Sequence, residues 1–113
     1  MTLLTANPST VSREQVQRSD AVVLGRLVAA GRDEIRIERV LRGDLALDEV
    51  VTVLNRGDVT ELAADRSYLF PLTRFRQDYV VTTLKGQHAS PLIYPAAPET
   101  IVTAVEFLRD ARN

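Results

Sequence analysis

The chain contains no cysteine, one histidine (His88) and one lysine (Lys85), and only 5% of its residues are aromatic. Without cysteine there is no disulfide, thiol nucleophile, thiolate metal site or iron–sulfur cluster, so any fold must rest on its apolar core. No apolar run approaches the ~20 residues that a membrane-spanning helix needs. The opening Met1–Pro8 lacks both the basic start and the apolar stretch of a signal peptide. Charge of one sign is missing as well: 14 basic residues face 15 acidic ones, for a net charge of -1. There is no broad positive field to gather nucleic acid or an anionic membrane. These absences lead to two alternative expectations of location, a cytoplasmic protein or the soluble part of an envelope protein whose targeting segment has been removed. Membrane contact is expected only if an N-terminal segment is missing.

What is present suits one modest core. With 113 residues, 45% of them hydrophobic and 26% charged, the chain has the composition of an ordinary globular domain. No repeat, low-complexity tract or linker divides it. The expectation is one domain over residues 1–113, with a core from about residue 12 to 111.

Order begins at Ser12. Ser12 and Gln15 have capping-box spacing, in which the hydroxyl accepts the Gln15 amide proton and the Gln15 side chain reaches back. Val11 and Val16 sit at hydrophobic-staple positions, so a short helix over Arg13–Arg18 follows, acting as a lid. After Asp20, the β-branched run Ala21–Ala29 reads as a strand covered on both sides, interrupted by Gly25. Gly31 turns the chain into Glu34–Leu41, where Ile35 and Ile37 alternate with charge until the phase slips at Glu38–Arg39 before Val40. A β-bulge explains that slip. Glu49–Leu54 forms a third strand with Val51 and Val53 on one face, and Asp58 with Glu61 suggests one helical turn beyond it. Tyr68, Phe70 and Leu72 share a face of the fourth strand, where Pro71 marks an edge, a bulge or a seam. Tyr79–Leu84 is the fifth, and Leu92-Ile93-Tyr94 reads as a brief extra strand. Pro98 and Glu99 start a C-terminal helix whose stripe is Ile101, Val105 and Leu108, widened by Val102 and Ala104.

A short helix, five strands and a terminal helix fit a mainly β fold: a five-stranded OB-like closed barrel with a short N-terminal helix and a packed C-terminal helix. Antiparallel sandwiches stay open as an alternative. Ser19–Leu27, Ile35–Asp44 and Arg66–Leu72 together resemble bacterial netrin-like domains, relatives of the tissue inhibitors of metalloproteinases. The shared features are the glycine in strand one, the bulged second strand and the aromatic fourth strand. The resemblance spans roughly Ser19 to Leu84 and implies an OB-type barrel used as an interaction module. The inhibitors' zinc-directed N-terminal cysteine and their disulfides do not carry over to a chain that has no cysteine.

Chemistry-bearing constellations are few. His88 has no nucleophile or metal-ligand signature around it and reads as an exposed loop residue. Arg42-Gly43-Asp44 spells an adhesion tripeptide, but turn formation accounts for it. Asp44, Asp48 and Glu49, like Asp58, Glu61 and Asp65, miss calcium-loop spacing. No phosphate-binding, metalloprotease or nucleophile-elbow motif occurs. The expectation is a non-enzymatic chain with no catalytic residue, cofactor or metal. It would bind another protein or a domain of its own parent. The alternative is a weak single-stranded nucleic-acid binder, using the one cluster of basic and aromatic residues: Arg74, Phe75, Arg76 and Tyr79. Nucleic acid is the less favoured partner, given the charge balance.

Overall fold

The computed structural model describes residues 11–28, 33–54, 65–82 and 93–110. Lys85, His88 and the turn expected at Asp58–Glu61 lie outside these residues. In chain order the elements are α1 (Arg13–Arg18), β1 (Ala21–Leu27), β2 (Glu34–Arg42), β3 (Val50–Thr52), β4 (Ser67–Phe75), β5 (Asp78–Val81), β6 (Tyr94–Pro95) and α2 (Pro98–Asp110). The strands run β3-β2-β1-β4-β5, with every neighbouring pair antiparallel, and β6 pairs with β4 beside β5. A parallel bridge between Val53 and Tyr79 brings the two ends of the path together, and Leu54 N–H donates to the Tyr79 carbonyl at 2.8 Å. The result is a mainly β fold, a nearly closed five-stranded barrel with α1 and α2 on its outside.

β1 is apolar on both faces because each face meets a core. Ala21, Val23 and Leu27 point into the barrel with Ile35, Ile37, Tyr68, Phe70 and Leu72. Val22 and Leu24 point outward, under the helices, with Val16, Leu69, Tyr94, Ala104 and Leu108. Burying a large aliphatic side chain contributes roughly 1.5–3 kcal/mol, so a strand shared by two cores organises the whole fold.

The bulge expected at Glu38–Arg39 is present. Gly25 pairs with Ile37 and Leu24 with Arg39, so Glu38 is the extra residue. A second irregularity follows, with Val23 opposite Val40 and Val22 opposite Arg42. Together they keep Val40 against the barrel interior and Leu41 against the outer core. At the end of β2, Gly43 has a φ of 111° beside Ala21, a turn conformation that a side chain would strain.

Half of the capping box forms. Gln15 N–H donates to Ser12 Oγ at 3.1 Å, but the Gln15 side chain turns inward. Its Nε2 donates to the Thr82 carbonyl at 2.8 Å and its Oε1 accepts from Tyr94 Oη at 2.8 Å. Ser12 N–H then donates to Tyr94 Oη at 3.2 Å. The buried Thr82 carbonyl and the buried Tyr94 hydroxyl outcompete the cap because leaving them unpaired costs more. The staple pair Val11 and Val16 is buried.

The C-terminal helix differs in phase from expectation. Its buried residues are Thr100, Ala104 and Leu108, an i, i+4, i+8 line, with Ile101 and Phe107 partly buried beside them. Val105 is only half-buried and Val102 is 56% exposed. Ala104 and Leu108 join Val16 of α1 and Val22, Leu24 and Leu69 of the sheet in the outer core, so the docking line falls on them and not on the larger valines.

Candidate functional site

The four residues of the basic and aromatic cluster sit on the β4–β5 hairpin. Arg74 and Phe75 end β4, Arg76 and Gln77 form a two-residue turn, and Tyr79 lies in β5. Arg76 adopts a φ of 59°, a conformation that two-residue hairpin turns require and that non-glycine residues resist. The pairing then separates the cluster. Arg74 faces Tyr79 across the ladder and Phe75 faces Asp78, and since neighbours along a strand project to opposite faces, Arg74 and Phe75 point apart.

On one side, Arg74 and Tyr79 border a polar recess of ≈ 360 Å³ at the barrel mouth, which Asp44, Glu49 and Asp78 also line. Tyr79 packs against the barrel core and carries the closing bridge, so its role is structural. On the other side, Phe75 is 47% exposed, with the Arg76 guanidinium 5.4 Å from its ring centroid. A single-strand site needs stacking platforms and positive charge along one groove. Here the recess holds one arginine among three carboxylates, and the exposed ring lies on the opposite face.

An apolar groove lies elsewhere, between α2 and β2. Ile101, Val102 and Val105 form one wall of a groove of ≈ 560 Å³, with Arg39 and Arg109 at its rim. A shallower extension of ≈ 170 Å³ reaches Leu41 and Leu108. The groove exists because of the helix phase: docking on Thr100, Ala104 and Leu108 leaves the neighbouring valines unburied. Its signal in the sequence is the width of the α2 stripe, since five large apolar residues on one short helix are more than a single docking line can cover.

Among the described residues, no group of three or more His, Cys, Asp or Glu side chains is placed to hold a metal ion. No helix among them is long and apolar enough to cross a membrane. No known protein family, curated protein or solved structure matches the chain.

Proposed function

We propose that the chain is a non-enzymatic protein-interaction module built on a bacterial netrin-like OB barrel. The barrel reading is supported by the strand path and its β3–β5 closure, the glycine at position 25, the bulged second strand and the aromatic Tyr68 and Phe70. The observation that carries the interaction reading is the groove beside α2, where Val102 is 56% exposed next to half-buried Ile101 and Val105. A recessed, contiguous apolar surface with a charged rim has the anatomy of a protein interface. The partner is a protein or a domain of the parent protein.

A photo-cross-linking residue at position 102 tests this reading in extracts of the source cell. It should capture a protein, and Val105→Asp should abolish capture while the circular-dichroism spectrum stays folded. The second reading, a weak single-strand binder, is favoured only by Arg74, Phe75, Arg76 and Tyr79. If an oligothymidine binds at physiological salt, and Arg74→Ala with Arg76→Ala removes that binding, the second reading replaces the first.

A further inference from the structure

The two irregularities of β2 turn a row of arginines onto the outer face of the barrel. Arg36, Arg39 and Arg42 lie opposite Arg26, Leu24 and Val22 of β1. Residues directly opposite one another share a face, and Val22 and Leu24 belong to the outer core. In an unbroken strand, residues 36, 38, 40 and 42 would share that face, so the extra residues are what bring Arg39 into line. All three arginines are exposed. Because their partners on β1 are two positions apart, the arginines stand about 7 Å from one another and span about 13 Å. Glu38 does not neutralise them, since its carboxylate is taken by Arg26 at 3.3 Å and by the Ser67 hydroxyl. Arg42 donates to the Gln17 carbonyl at 3.2 Å, which leaves its positive charge in place. Among the described residues, Arg36, Arg39 and Arg109 have no carboxylate partner. On the other side of the groove, Glu106 is the one acidic residue of its lining.

From this juxtaposition of an arginine row and an apolar groove, we infer that the groove binds an acidic amphipathic helix of a partner protein, laid alongside α2 over β2. This rests on the interaction-module reading and adds the partner's chemistry. Ile101, Val105 and Arg109 stand at i, i+4 and i+8, the ridge that interdigitates with a neighbouring helix. Carboxylates at i, i+4 and i+8 of an incoming helix are about 6 Å apart, close to the arginine spacing. One flank of that helix would then meet Arg36, Arg39 and Arg42 while the adjacent flank places apolar residues on Ile101, Val102 and Val105. A nucleic-acid strand would find phosphate partners here but no stacking ring, as Phe75 and Tyr79 lie on the hairpin. A membrane would need the valines to protrude, and they line a recess.

The test is a displayed library of 14-residue helix-forming peptides selected against the full chain. Enriched sequences should carry Asp or Glu at i, i+4 and i+8 beside an apolar stripe. Their affinity should fall at least tenfold with Arg39→Glu and with Val102→Asp, both at exposed positions where the fold is retained. It should weaken as salt rises. The Arg36→Glu, Arg39→Glu, Arg42→Glu triple variant should instead enrich lysine at those positions. Enrichment of basic or extended sequences, insensitivity to either single variant, or no enrichment at all would overturn the acidic-helix assignment. Equally, it is overturned if phosphatidylserine vesicles or oligothymidine bind the arginine row and the selected peptides do not compete. The groove as an interface stands or falls separately, on cross-linking from position 102.

Discussion

Gln15 makes the hydrogen bond that Pro71 cannot. Thr82 N–H donates to the Pro71 carbonyl at 2.9 Å, one half of a hydrogen-bonded antiparallel pair. The other half would be an N–H at position 71 donating to the Thr82 carbonyl, and proline has none. Gln15 Nε2 reaches that carbonyl from α1 at 2.8 Å. A proline is thereby accommodated inside a strand paired on both sides, at the seam where β5 ends and β6 begins.

Gln15→Ala should therefore cost about 1–3 kcal/mol, because the Thr82 carbonyl and the Tyr94 hydroxyl both lose a buried partner. The cost should shrink when Pro71→Ala restores an N–H on β4, a coupling that a double-mutant cycle reads directly. Urea denaturation of the four proteins checks it. Equal costs in both backgrounds would show that Gln15 and Pro71 act independently.

Tyr94 extends the same network into alkaline behaviour. Burial raises its phenol above the ordinary value, opposed by the Ser12 N–H that donates to it. The unfolded chain ionises near pH 10 while the folded protein keeps the proton, so the unfolded state binds fewer protons there. Stability from this group is thus complete below about pH 10 and falls as pH rises toward the folded value. Tyr94→Phe should be less stable at neutral pH by about 1–2 kcal/mol, since Gln15 and Ser12 lose a partner. It should also show a shallower alkaline decline. Parallel stability–pH curves for the two proteins would assign that decline to other groups.

Gly25 occupies the point where β2 slips against β1. A Cβ there would lie 3.1 Å from the Arg36 carbonyl oxygen and 3.2 Å from Ile35 Cδ1. The side chain can yield, but the ladder carbonyl cannot without moving the bulge. Gly25→Val should cost roughly 1–3 kcal/mol, and Gly25→Ala less. An unchanged denaturation midpoint for the valine variant would mean that the glycine is incidental.

The barrel was legible wherever a local period carried the information. Ile35, Ile37 and Val40 betrayed the first bulge because their alternation breaks at Glu38–Arg39, whereas the second slip, near Leu41–Arg42, falls at a strand end with no phase left to break. Spacing alone puts Gln15 in a capping box because it specifies which groups can meet, while competition from Thr82 and Tyr94, distant in sequence, specifies which do. The cluster Arg74, Phe75, Arg76 and Tyr79 looked like one surface because it is contiguous in the chain. Strand alternation divides it, and that division depends on the hairpin's register. The groove was hidden for a related reason: apolar residues mark a helix as amphipathic without saying which line of them docks.

Thr100 offers a test in the stabilising direction. Its side chain is wholly buried and, among the described residues, its hydroxyl has no hydrogen-bond partner. Thr100→Val keeps the shape and removes the desolvated hydroxyl, so stability should rise by about 1 kcal/mol. A loss of that size on thermal denaturation would reveal a bond that the hydroxyl makes in solution.

The phase of α2 separates what holds the barrel from what is left for a partner. Leu108 and Ala104 lie in the outer core with Val22, Leu24 and Leu69, so Leu108→Ala should cost about 2–4 kcal/mol and Ala104→Asp should unfold the domain by burying an unpaired charge. Val102, 56% exposed on the side of α2 turned away from that line, should accept Asp within about 0.5 kcal/mol, as other surface positions do. A helix of this length has little stability alone, so each difference reports docking and not helix propensity. If Val102→Asp proved as damaging as Ala104→Asp, the helix would be rotated toward its valines. The groove would then be part of the core, and the reading of an open interface would fall with it.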